Sequence, residues 1–216
     1  MSQYNRGDQV RSMSPKKYKL SFTAASLSIS QSITIATEYL QCEDWDETKR
    51  VITEGNLLQS RVRSSSLRTY RELAQRLQLL TKDQLEILVD GAIQEQKHLL
   101  WYAICKRYTF IFEFAREVMR DKFLAMDYEL TELDYAAFFD KKADWHPELE
   151  TLKPSTKGKI KQVVFRMLRE AGLVSEDNRI RRTVLSERVV QVLQNDKPES
   201  FEIFPVLLAD LESSSP

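Results

Sequence analysis

Arginine residues are concentrated in one stretch of the sequence, where their chemistry suits contact with nucleic acid. Between positions 56 and 80 there are five arginines, one acidic residue and no lysine. The planar guanidinium group forms paired hydrogen bonds with phosphate groups and with the edges of bases. The polar residues of this first basic segment are therefore candidates for a DNA contact: Arg61, Arg63, Ser64, Arg68, Arg71 and Gln75.

A second basic segment covers positions 153–170, where six lysines and arginines stand against one glutamate. Its candidates for a DNA contact are Lys157, Lys159, Lys161, Gln162 and Arg166. A short acidic turn at 176–178 separates this segment from Arg181 and Arg182. This pattern predicts a wing whose returning side is basic, which is a frequent neighbour of a recognition helix.

Both basic segments are predicted to form helices that follow shorter, acidic helices. The apolar residues of the first segment recur every three or four positions, which places its polar candidates on the opposite face. An acidic helix at 44–54 precedes the first segment, and another at 132–143 precedes the second. A short helix, a break and a basic helix are typical of a helix-turn-helix. An ordinary solvated surface accounts for each pattern about equally well.

The whole sequence predicts an all-α fold, because its five glycines and six prolines in 216 residues leave few tight turns. We expect a compact multi-helix globular body with two helix-turn-helix-like elements and at most a short β wing near residues 173–184. Asp44, Thr81 and Thr131 are predicted helix caps. The predicted helices span 23–41, 44–54, 64–80, 82–90, 92–106, 108–125, 132–143, 155–171 and 186–195.

The sequence shows no linker that would separate independent domains. We predict a mobile basic arm at 1–17, a single helical body at 18–208 and a flexible tail at 209–216. The body is expected to have an N-terminal lobe at about 18–125 and a C-terminal lobe at about 126–208. Half of the uncharged run 20–37 is polar, which argues against a membrane span. We expect a cytoplasmic protein that is a monomer in isolation.

Residue patterns for catalysis are missing, so the chain is not expected to be an enzyme. The five glycines are too scattered for a phosphate-binding loop, and no cofactor is predicted. His98 and His146 lack the neighbours that metal or triad chemistry needs, so neither a metal site nor a catalytic residue is assigned. Cys42 and Cys105 are expected to be buried, reduced side chains.

Five phrases of the sequence resemble the BrxA family, the small helical subunit of bacteriophage-exclusion (BREX) defence systems. They are LSFTA at 20–24, NLLQSR at 56–61, WHPEL at 145–149, RMLREAGL at 166–173 and IFPV at 203–206. The resemblance extends over roughly Tyr18 to Val206. It implies an all-helical subunit without known catalytic activity, which binds double-stranded DNA through helix-turn-helix-like elements. The resemblance also implies that this subunit works within a system that methylates host DNA and blocks phage replication.

The resemblance and the charge pattern favour a non-catalytic accessory subunit of phage defence that binds double-stranded DNA. The 32 basic and 32 acidic residues give a net charge of zero, so DNA binding would depend on the segregated basic faces. Two alternatives remain open. In the first, the protein is a scaffold that docks other subunits of the defence system, with Trp45 or Trp145 as anchors. In the second, it is an RNA-binding bundle resembling the NusB antitermination factor.

Overall fold

The computed structural model describes residues 17–196 and 198–207, and it confirms the predicted all-α fold class. Within these ranges there is no extended strand, and the β pairing consists of two isolated bridges. Short segments of other helix types occupy Ser21–Ala24, Ala115–Arg120 and Pro198–Ile203. The α helices are α1 Ile29–Cys42, α2 Trp45–Glu54, α3 Arg63–Leu77, α4 Lys82–Asp90, α5 Ile93–Arg107, α6 Thr109–Phe114, α7 Asp121–Leu124, α8 Glu132–Ala143, α9 Pro147–Glu150, α10 Pro154–Glu170 and α11 Glu187–Gln194.

Helices α1, α3 and α4 pack around α5. Helix α1 lies against α2, α3 and α4, and both α3 and α4 contact α5. Helix α5 is apolar on most faces, and its residues from His98 to Cys105 are all buried. The indole nitrogen of Trp101 donates a hydrogen bond of 3.0 Å to the carbonyl oxygen of Ile203, which attaches the C-terminal segment to the core. This apolar helix therefore lies in the centre of the core.

Helix α6, the π turn and α7 continue one another and carry the rings that join α8 and α10 to the core. Phe114 lies 5.2 Å from Phe138 of α8 and 6.3 Å from Phe165 of α10, measured between ring centroids. Phe110 contacts Phe138 as well, at 5.3 Å. The two contacts of Phe138 are edge-on, and such pairs add attraction to the burial of the rings. Helices α8 and α10 are therefore fixed on a common aromatic base.

A hairpin-like turn follows α10 in the region of the predicted wing. The amide of Ser175 donates to the carbonyl of Arg179 at 2.9 Å, and the amide of Arg181 donates to Leu173 at 2.8 Å. A third segment joins this turn through the amide of Ile180, which donates to Tyr128 at 2.7 Å. The wing is thus held by isolated bridges, and the sequence did not predict the third segment.

Residues 18–28, which we name the strap, run across both halves of the fold. The sequence predicted a helix from residue 23, but α1 begins only at Ile29. The carbonyls of Ala25 and Ser26 accept hydrogen bonds from Arg76, and the amide of Leu27 donates to Glu170. These long-range bonds take the place of helical ones, so the predicted start of the first helix was wrong.

The structure corrects the predicted environment of Cys42 and gives Arg76 one that the sequence did not predict. Arg76 contributed to the charge count of the first segment but was not assigned to its polar face, and it is buried against Glu72 of the same helix. Cys42 is exposed, because its Sγ atom lies at the end of α1 and bonds to the carbonyl of Glu38. Cys105 is buried as expected.

One continuous cluster of buried hydrophobic residues extends from Tyr18 to Val206. The predicted division into two lobes stays a prediction. The predicted arm, except for Lys17, and the predicted tail lie outside the described residues. Among residues 17–196 and 198–207, no helix has both the length and the hydropathy required to cross a bilayer.

Candidate nucleic-acid interface

Helix α3 presents the first group of predicted site residues to solvent. Its apolar side is formed by Tyr70, Leu73 and Leu77, which are buried against α1 and α5. The opposite side and the preceding turn carry the exposed polar residues, which we name the first basic face: Arg61, Arg63, Ser64, Arg68, Arg71 and Gln75. The helical period thus brings together the residues that the sequence singled out.

The arginines of the first basic face are not neutralised by nearby carboxylates. Within the described ranges, no ion pair or side-chain hydrogen bond involves Arg61, Arg63, Arg68 or Arg71. An exposed arginine without such a partner keeps all its N–H donors available for a ligand. Among the described residues, the one side-chain partner of this face belongs to Gln75, whose Oε1 atom accepts a hydrogen bond from Arg107.

Arg107 is a basic residue of this face that sequence reasoning missed. It lies in the last turn of α5. Because α3 packs on α5, this turn lies next to Gln75. Its guanidinium group also lies 5.8 Å from the centroid of the Tyr108 ring. The signal in the sequence was the basic pair 106–107 after an apolar run, but pairing with α3 requires the tertiary fold.

Helix α10 carries the second group, and it separates the predicted residues into two sets. Lys159, Gln162 and Arg166 are exposed and share one side of the helix at spacings of three and four residues. We name these three the second basic face. Within the described residues, none of the three side chains has a hydrogen bond or ion pair.

The other two predicted lysines of α10 turn toward α8. The Nζ atom of Lys161 forms an ion pair of 2.7 Å with Glu132, and that of Lys157 lies 5.3 Å from the ring centroid of Phe139. Both side chains are half-buried, because positions 157 and 161 occupy the flank of α10 that faces α8. They connect the two helices and are less available to a ligand than the second basic face.

The wing adds basic groups beside the end of α10. Arg181 and Arg182 are exposed, as is Arg179, which the sequence reasoning did not assign. Arg169 donates a hydrogen bond of 2.8 Å to Asn178, which attaches the turn of the wing to α10. The pKa of the Asp177 carboxyl is lowered, chiefly by the hydroxyl of Ser175 and also by the charges of Arg179 and Arg181.

The strap connects the two helices that carry the basic faces. The turn Ser21–Ala24 contacts both α3 and α10. On the α3 side, Arg76 donates to Ser26 at 2.6 Å, and on the α10 side the amide of Leu27 donates to Glu170 at 2.7 Å. Because both anchors are charged groups, buried at Arg76 and half-buried at Glu170, the strap restrains how α3 and α10 are placed relative to one another.

Comparisons with known proteins give the same family as the five sequence phrases. A family model described as BrxA matches residues 16–197. The BREX protein BrxA of Bacillus cereus is 28% identical over 148 residues, which cover 67% of this chain and 74% of that relative. The BREX protein BrxA of Paramagnetospirillum magneticum is 23% identical over 189 residues, or 87% of this chain and 95% of the relative.

A solved structure shares the fold. The crystal structure of an uncharacterized protein from Magnetospirillum magneticum superimposes with a TM-score of 0.75 and 24% sequence identity. The match covers 88% of this chain and 98% of that one, so the helical arrangement is common to both along nearly their full length. Since the family model spans most of the sequence, the chain belongs to the BrxA family of BREX proteins.

Proposed function

We propose that this protein is a non-catalytic subunit of a BREX phage-defence system and that it binds double-stranded DNA. The observation that carries the proposal is the pair of exposed basic faces on α3 and α10, whose arginines and lysine lack acidic partners within the described residues. The first face lies on α3, the second helix of the pair that it forms with α2, and the second face lies on α10, which follows α8 and the short helix α9. The wing beside α10 supplies further positive charge next to the second face.

The two faces would contribute mainly contacts to phosphate groups. Arginine and lysine side chains on a helix can reach the backbone on either side of the major groove, while a few donors reach base edges. Neutralising about five to seven phosphates gives a log–log salt slope of roughly −5 to −6. Binding by this nearly neutral chain therefore depends on the two faces and not on its net charge.

Two charge-reversal variants test the proposal. Arg68→Glu with Arg71→Glu removes the centre of the first face, and Lys159→Glu with Arg166→Glu removes that of the second. Each pair is expected to lower the affinity for a duplex of about 20 base pairs at least tenfold and to reduce the salt slope by about two units. Fluorescence anisotropy at several salt concentrations measures both quantities.

The matched control is Lys82→Glu with Arg188→Glu, which changes the net charge equally on α4 and α11. These side chains form exposed ion pairs with Glu43 and Asp90, away from both basic faces. Equal loss of affinity in the control would mean that only the overall charge matters. Unchanged affinity in both face variants would refute the assignment of the DNA site.

A scaffold role is the second candidate, and the exposed indole of Trp145 favours it. Trp145 lies just after the end of α8 and is 72% exposed. Leu133, in the first turn of α8, is 80% exposed. Such apolar side chains commonly anchor protein partners. Trp45, the other predicted anchor, is half-buried and stacks on Tyr39 at 3.9 Å, which makes it unsuitable. Retention of purified BREX subunits by the wild-type protein but not by Trp145→Ala would support this role.

A matched RNA competitor addresses the third alternative, an RNA-binding bundle resembling NusB. A preference for looped or single-stranded RNA over duplex DNA would favour that class.

A further inference from the structure

The start of α3 has backbone donors that lack partners. Val62 occupies the N-cap position and offers no side-chain oxygen to the first turn. The amides of Ser65 and Ser66 donate to the carbonyl of Val62 at 3.0 and 3.1 Å. In the part of the chain that the structure describes, the amides of Arg63 and Ser64 have no acceptor. The first turn of this 15-residue helix therefore has two free N–H groups and the positive end of the helix dipole.

A buried hydroxyl group at the same place is also without a partner. Ser66 is only 1% exposed, and its Oγ atom makes no hydrogen bond to any described residue. Buried hydroxyl groups are nearly always hydrogen-bonded, because leaving one unpaired is unfavourable. Ser66 lines a cleft between the end of α2 and the start of α3. An acceptor bound in this cleft would satisfy the hydroxyl.

The cleft has the size and charge for an anionic ligand. Its volume is about 410 Å³, and its walls include Asn56, Ser60, Arg61 and Arg63 in addition to Ser66. Asn56 accepts a hydrogen bond of 3.0 Å from the amide of Ser60, which fixes the loop. Among the described lining residues, the single carboxylate is Glu54, which is paired with Arg50 at 3.0 Å. Two arginines are thus left to meet an anion.

We propose that this cleft is a seat for a single phosphate group, bound by the Arg63 and Ser64 amides, the Ser66 hydroxyl and the guanidinium groups of Arg61 and Arg63. A helix N-terminus beside arginine is well suited to a doubly hydrogen-bonded phosphate oxygen. The occupant is a phosphodiester of the DNA backbone, and this part rests on the proposed function. Contact with a backbone phosphate would fix the position of α3 relative to the duplex without reading the base sequence.

Amide chemical shifts of the ¹⁵N-labelled protein test the seat directly. Inorganic phosphate should shift the Arg63 and Ser64 resonances saturably, while sodium chloride at equal ionic strength should not. Arg61→Gln with Arg63→Gln should weaken phosphate binding at least tenfold, and Ser66→Ala should weaken it about threefold. The control Arg166→Gln, on α10, should leave phosphate binding unchanged. Absence of a saturable shift, or an equal effect of chloride, would overturn the seat.

A duplex titration then identifies the source of the phosphate. If a backbone phosphodiester occupies the seat, the duplex should shift the same amides and abolish their response to inorganic phosphate. A response to phosphate that persists in the duplex complex would overturn the DNA assignment and leave a site for a free anion. Duplex binding by anisotropy without movement of these amides would refute the inference while the proposed function stands.

Discussion

His98 is a buried histidine whose protonation is opposed by the fold. Its ring meets Phe204 edge-on at 5.7 Å, and only 6% of the residue is exposed. Its Nδ1 atom has no hydrogen-bond partner among the described residues. Burial lowers the pKa of His98 to about 4, so the ring is neutral near pH 7.

This lowered pKa makes the free energy of unfolding depend on pH. Between the unfolded pKa of about 6.5 and the folded value of about 4, only the unfolded chain binds a proton at His98. Stability is therefore complete above pH 6.5 and falls as the pH decreases toward 4, by about 3 kcal/mol from this residue. Urea unfolding of wild type and His98→Asn between pH 5 and 7 measures the difference. Parallel pH curves for the two proteins would contradict the prediction.

Single residues of the candidate site were predictable where exposure follows from helical period. Arg68 and Arg71 lie opposite the apolar positions of α3, so the sequence alone placed them on the surface. Arg76 lies on the same helix but donates hydrogen bonds to carbonyl groups of the strap, which no local sequence pattern predicts. Arg107 and Lys161 likewise depend on which helix is the neighbour. Local period predicts a face, whereas partners across elements require the tertiary structure.

At the scale of elements, helix starts were the most predictable feature. Asp44 accepts hydrogen bonds from the amides of Asp46 and Glu47, and Thr81 and Thr131 form capping boxes, as the sequence indicated. These caps involve residues within one turn, so their signal is local. The start of α1 was missed because Ser28 adopts a left-handed conformation, with φ of 53°, and the residues before it bond to distant elements.

Substitution of two glycines, one inside α10 and one just after it, should change the free energy of unfolding in opposite directions. Gly172 ends the helix with φ of +77°, a conformation that disfavours any side chain, although space for a Cβ atom exists. Gly172→Ala should therefore lower the free energy of unfolding by about 1–2 kcal/mol. Gly158 lies inside α10 with no atom within 4 Å of a Cβ position, so Gly158→Ala should raise it by about 0.5–1 kcal/mol. Chemical denaturation of the two variants is the measurement, and equal effects would contradict it.

At the scale of the whole molecule, a buried ion pair holds the strap to α3. Glu72 accepts hydrogen bonds from Arg76 and from the hydroxyl of Tyr108, and all three groups are buried. The same arginine donates to the carbonyls of Ala25 and Ser26. Buried ions remain compatible with a stable fold only while every partner is present. The network therefore joins the strap, α3 and the end of α5 as one unit.

Removing Arg76 should be far more damaging than removing a similarly spaced surface arginine. Arg76→Met leaves Glu72 buried and uncompensated and should cost about 3–5 kcal/mol of unfolding free energy. Arg50→Met is the matched control, because Arg50 also pairs with glutamates of its own helix but in solvent, and it should leave the urea midpoint nearly unchanged. Similar midpoints for the two variants would show that the buried network adds no stability.

The strap also constrains the order in which this chain can complete its fold during synthesis. Its hydrogen bonds join residues 50 and 51 positions apart at Arg76, 130 apart at Glu148 and 143 apart at Glu170. The ribosome synthesises the strap long before Glu170, the last residue to which it bonds. Contacts between residues so far apart in sequence form late in folding. The joint between the two basic helices is thus a final step of biogenesis, and nascent chains that end before α10 lack it.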